Sequence, residues 1–205
     1  MQRTRNRLIS GTCATGLWFL GALLAPGVDA VRADETCNSP FMTGLIKGQE
    51  QYLHVWTLGE KGVGDESDKL VTIDVIPGSP TYGKVIHTLS VGGRGEAHHM
   101  GFTDDRKYLW AGRLDDSKIF IFDIGSNPAE PTLVKTIDNL AETTGYVGPH
   151  TFYALPGRML VQALSNKKDH GGVTGLITYN NAGDLVSTTP MPLDNGGDGW
   201  LRHRH

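Results

Sequence analysis

The chain has 205 residues, 39% hydrophobic and 20% charged, with a net charge of −3 at pH 7 and two cysteines. Residues 1 to 33, read below as a leader, contribute four arginines and one aspartate, so the remainder carries −6. A chain this acidic lacks the basic face that neutralises phosphates, which excludes nucleic acid as a partner class.

The amino terminus reads as a secretory signal peptide spanning 1–33. Arg3, Arg5 and Arg7 precede an apolar stretch from Leu8 to Ala25, which Pro26 and Gly27 end. Val28 with Ala30, or Val31 with Ala33, supplies a small-residue cleavage site. The stretch is too short and too interrupted for a membrane span, so no membrane association is expected after cleavage. Of the two cysteines only Cys37 lies beyond the leader, and it cannot form an internal disulfide. It is left as a thiol or selenium candidate, or as a tolerated residue near a terminus.

From residue 52 onward the apolar segments are short, rich in β-branched and aromatic residues, and bounded by Gly, Pro, Asn or Asp, which predicts strands joined by turns. YLHVWTL (52–58), KLVTIDVI (69–76), KVIHTLSV (84–91), KYLWAGRL (107–114), KIFIFDI (118–124), TLVKTI (132–137), RMLVQAL (158–164) and GLITYN (175–180) fit this pattern. No window keeps a helical period over three turns, so the expected fold class is all-β. The run DESDK (65–69) reads as a solvated hairpin.

A repeat organises these strands. Placing His99 on His150, 51 residues apart, also places Phe102 on Tyr153, Tyr108 on Met159 and Leu109 on Leu160. Units of about four strands recurring at about forty to fifty residues are the sequence signature of a β-propeller. The stretch 69–91 reads as the last two strands of a preceding blade. About two to three blades fit in residues 34–205. An open fan leaves unpaired edges, so either an oligomer or a longer protein is expected. The tail 199–205 (GWLRHRH) fits no strand pattern and reads as aberrant, the mark of a frame change or truncation.

The propeller gives the histidines a place, because equivalent positions on the innermost strands face one axis. His99 and His150 are therefore expected to converge. His98 and His99, as neighbours on a regular strand, would face opposite sides, and Glu96 would share a face with His98. A bulge, which Gly92, Gly93 and Gly95 make easy, would bring both histidines to one side. Without it one of them is only a hydrogen-bonded strand end. His54 and His87 alternate with apolar neighbours and read as packed side chains, and His170 lies in a polar turn and reads as solvated.

CNSPFM, TIDVIPGSPTYGKVIHTL (72–89), GEAHHMGF (95–102), SKIFIFDIGSNPAEPTLVKTI (117–137) and GPHTFYALPGRMLVQALSN (148–166), in this order, resemble the selenium-binding protein family, whose bacterial members are methanethiol oxidases. The resemblance implies a seven-bladed ring of which only the first part is present. It also implies a periplasmic copper enzyme that takes a small thiol, oxygen and water to formaldehyde, hydrogen sulfide and hydrogen peroxide. Glu96, His98, His99 and His150 match the family's candidate metal ligands. Imidazole suits copper, and copper supplies the electron chemistry that side chains lack. The paired cysteines that animal members carry after the double histidine are replaced here by TDDRK. The alternative reading is a non-enzymatic propeller that binds selenium or a partner.

Overall fold

The computed structural model describes residues 49–191, and the leader, Cys37 and the tail 199–205 lie outside the described residues. Eleven strands are described: β1 (Tyr52–Thr57), β2 (Lys69–Asp74), β3 (Val85–Ser90), β4 (Ala97–Phe102), β5 (Tyr108–Arg113), β6 (Lys118–Asp123), β7 (Thr132–Ile137), β8 (Val147–Leu155), β9 (Arg158–Ser165), β10 (Gly175–Asn180) and β11 (Leu185–Pro190). They form three antiparallel sheets, β1-β2-β3, β4-β5-β6-β7 and β8-β9-β10-β11, each a simple meander. The all-β expectation holds. One short helix, α1 (Leu140–Thr144), fills the connection between β7 and β8 and ends at Gly145 in the left-handed conformation. A single turn anchored by buried Leu140 is too short to leave a periodic trace in sequence.

The repeat is visible as register. Phe102 pairs with Leu109 in the middle sheet and Tyr153 with Leu160 in the third, as the 51-residue offset requires. The first sheet fits the same scheme with a shift of one strand. β2 ends at Asp74 and β6 at Asp123, and each breaks register with its outer neighbour one residue before that aspartate's predecessor. β1, β2 and β3 are thus the counterparts of β5, β6 and β7, and β1 packs on β4 as β5 packs on β8. Residues 69–91 are therefore the last two strands of their blade, and no strand on the inner edge of β1 is among the described residues.

Burial follows from the order of the sheets. In the middle sheet β5 and β6 are apolar at almost every position, and both faces are covered. Leu109, Ala111, Phe120 and Phe122 pack with Trp56 and Leu70 of the first sheet. Trp110, Ile119 and Ile121 pack with Phe152, Met159, Val161 and Ile177 of the third. β2 and β10 alternate buried with half-buried residues, as strands covered on one face do. Trp56 adds a directional tie between sheets by donating its Nε1–H to the Gly112 carbonyl at 2.8 Å.

Close approach of the sheets depends on glycine. A Cβ at Gly112 would stand 2.6 Å from the Pro149 carbonyl oxygen, a backbone atom that cannot rotate away. Gly112→Ala is expected to force the second and third sheets apart and to cost about 1–3 kcal/mol, the usual penalty of overpacking. Urea unfolding of the variant and the parent checks this.

Candidate metal centre

Both inner strands carry a bulge where they carry histidine. In β4 Ala97 faces Arg113 and Met100 faces Ala111, so His98 and His99 together oppose the single residue Gly112. In β8 Pro149 faces Ala163 and Thr151 faces Gln162, which leaves His150 as the extra residue. The two bulges occupy the same place in the repeat. An extra residue re-aims the side chains around it, and the alternation that would separate His98 from His99 is cancelled.

The three imidazoles meet as a result. Ring centroids lie 4.5 Å apart for His98 and His99, 4.5 Å for His98 and His150, and 4.4 Å for His99 and His150. One nitrogen from each can be chosen so that all three lie within 4.8 Å of one another. Nitrogens bound to a common ion at about 2 Å lie at most about 4 Å apart, so small ring rotations suffice to close the set. His99 and His150 are half-buried and His98 is the most open of the three. Burial, and then the charge that His98 would carry, hold the His99 pKa below its ordinary value of 6.5. Both effects favour the neutral imidazole, the form a metal binds.

Glu96, the fourth residue of the expected set, lies outside this trio. It is exposed and sits at φ 60°, a left-handed backbone that few non-glycine residues adopt. Its carbonyl accepts from Leu114 N–H at 3.1 Å. Its visible contribution is to the path of the chain into the bulge. His54 is buried, with Nδ1 3.3 Å from the Thr72 hydroxyl, and His87 is half-buried beside the same ladder. His170 departs from the solvated reading. Its Nε2 lies 3.2 Å from where a Cβ on Gly148 would stand, so its ring covers the backbone two residues before His150. A cleft of about 290 Å³ opens beside it, lined among others by Asp115, Asp116, Ser117, Val147 and His170.

DESDK is not a solvated hairpin throughout. Ser67 and Asp68 are buried, and both hold the glycine-rich approach to β4. The Asp68 carboxylate accepts Gly59 N–H at 2.8 Å and Gly95 N–H at 3.0 Å, and the Ser67 hydroxyl accepts Gly93 N–H at 2.9 Å. From the other side Arg113, also buried, donates to the Gly92 and Gly93 carbonyls at 3.1 and 3.2 Å. Its guanidinium also grips Asp116, with Nε–Oδ1 at 2.8 Å. Burial pushes the Asp116 carboxyl upward, but the hydrogen bonds and charges of Arg113 and Lys118 together outweigh it and hold the group below its ordinary value. Hydrophobic patterning could not expose these residues, since a charged run between strands has the same appearance whether it is solvated or turned inward.

Repeated four-stranded meanders with aligned inner histidines define a propeller-type protein with an imidazole cluster on its inner strands. The chain belongs to the family described as 56kDa selenium binding protein (SBP56), which residues 31–190 match. It is 68% identical over 196 residues to a methanethiol oxidase of a Hyphomicrobium species, covering 96% of this chain and 43% of the relative. A methanethiol oxidase of Ruegeria pomeroyi is 58% identical over 192 residues, covering 93% of this chain and 42% of the relative. The chain thus spans less than half the length of these relatives. A solved structure titled a hypothetical selenium-binding protein from Sulfolobus tokodaii superposes with a TM-score of 0.61 at 24% identity, over 72% of this chain and 36% of that one. At that identity the likeness carries the fold alone.

Proposed function

We propose that this chain is a portion of a copper-dependent methanethiol oxidase, exported to the periplasm, that takes methanethiol, oxygen and water to formaldehyde, hydrogen sulfide and hydrogen peroxide. The carrying observation is the convergence of His98, His99 and His150 through two equivalent bulges. The names of the two relatives support the substrate, and the arginine-led apolar leader supports export.

The donor set fits the metal. Three imidazoles suit copper and zinc, whereas calcium and magnesium take oxygen ligands. When bound, copper would supply the one-electron chemistry with oxygen that no side chain here can provide. His98 and His99 would hold it from one sheet and His150 from the next. Gly112, opposite the first bulge, lets the two sheets come close enough for that. Atoms balance for the overall conversion, with one methanethiol, one dioxygen and one water giving one each of the three products. The test is the protein purified from its host. Copper content near one per chain, with hydrogen sulfide and peroxide formed only when methanethiol is added, is the expected result. A copper-loaded preparation that forms neither overturns the proposal.

A further inference from the structure

We infer that Asp68 and Ser117 are positioning residues, each reaching from one blade to aim the histidines of the next. The inference rests on the histidine trio being the metal-binding site. It starts from a deficit in the ladder. Between the Ala97–Arg113 and Met100–Ala111 pairs no cross-strand register fixes His98 and His99, and between Pro149–Ala163 and Thr151–Gln162 none fixes His150. The direction of each bulge then depends on how the chain is led into it, alongside side-chain contacts such as that of His150 Nδ1 with the Thr151 hydroxyl at 3.0 Å.

Both approaches are led by the same device. Lys69 and Lys118 open the equivalent strands β2 and β6, so the residues just before them, Asp68 and Ser117, are equivalent in the repeat. Asp68 accepts Gly95 N–H at 3.0 Å, three residues before His98. Ser117 accepts Gly148 N–H through Oγ at 3.0 Å, two residues before His150. Each bond runs from the next blade's glycine back to the preceding blade. After each anchored glycine the chain turns through or out of a left-handed residue, Glu96 in one case and Gly148 itself in the other. Asp68 does more than Ser117, since it also takes Gly59 N–H and has Ser67 beside it on Gly93. A buried carboxylate satisfied by two N–H groups is a rigid acceptor, and outer-sphere contacts of this kind set the affinity of metal sites.

Asp74 provides an internal control. It is a second buried carboxylate, at the other end of β2, accepting Ile76 N–H at 2.8 Å and lying away from the histidines. In the full 205-residue chain, Asp68→Asn replaces one of the two acceptor oxygens with an NH2 donor and removes the charge that the Gly59 and Gly95 N–H groups share, and Ser117→Ala removes the hydroxyl acceptor. Metal-free, the imidazole NMR signals of His98 and His99 should move in Asp68→Asn and that of His150 in Ser117→Ala, while Asp74→Asn moves none of the three. Copper(II) titration should show about 10–100-fold weaker binding for Asp68→Asn and Ser117→Ala, with altered electron paramagnetic resonance parameters, and parent values for Asp74→Asn. If Asp68→Asn does not fold, Ser67→Ala, which removes the Gly93 contact together with the hydroxyl's bond to the Asp65 carbonyl, should move the His98 and His99 signals in the same direction. Imidazole signals unchanged in both Asp68→Asn and Ser117→Ala, or moved as far by Asp74→Asn, overturn the inference. Shifts in the variants with no copper uptake by the parent chain overturn the metal reading and leave the positioning role standing.

Discussion

His150→Ala is expected to lower copper affinity by about 100-fold or more, beyond the 10–100-fold typical of losing a partner that only orients a ligand. His150 is the one member of the trio contributed by the third sheet, so its loss leaves two adjacent imidazoles from a single bulge. The half-buried ring packs against both His98 and His99, outside the hydrophobic clusters of the described residues. Unfolding by urea should therefore change little. Glu96→Gln is the contrasting variant. An exposed side chain on a left-handed residue outside the cluster should change affinity by less than about threefold, within the spread of surface substitutions. Competition with a chelator of known affinity measures both. Equal losses in the two variants would put the carboxylate in the ligand set.

The strands and the repeat were legible because their causes are local. KIFIFDI is apolar on both sides because the sheet it enters is covered on both sides, and KLVTID alternates because its sheet is covered on one. The offset that put His99 on His150 reappears in the Phe102–Leu109 and Tyr153–Leu160 pairs. The bulges were legible only as a possibility. Gly92, Gly93 and Gly95 permit irregular backbone, but a two-to-one count depends on the partner strand, and sequence alone does not show which residue faces Gly112. The same limit misplaced Asp68, whose neighbours Asp65 and Glu66 are exposed while it is buried. What turns it inward is the set of N–H groups at Gly59 and Gly95, 9 and 27 residues away.

Acid should weaken the fold through His54. Burial, and then the charge of Arg106, lower its pKa from 6.5 to about 4 against the opposing charge of Glu50. The unfolded chain binds that proton near pH 6.5 and the folded chain only near pH 4, so between these values the unfolded state holds more protons. Stability is then full above pH 6.5, falls as the pH drops through the window, and levels off below about 4. The size is about 3 kcal/mol, since each pKa unit is worth about 1.4 kcal/mol. His54→Gln, which is close in volume and can still bond the Thr72 hydroxyl, should remove this part of the slope. Urea unfolding of parent and variant at pH 7 and pH 4.5 gives the comparison. From pH 7 to pH 4.5 the parent should lose about 2 to 3 kcal/mol more than the variant. His54 lies on β1 against Thr72 and Phe102, at the far end of β4 from the bulge, so the acid response and the imidazole cluster can be altered separately. If the parent and His54→Gln lose stability in parallel, the acid sensitivity lies in other groups, with buried His54 charging at no cost.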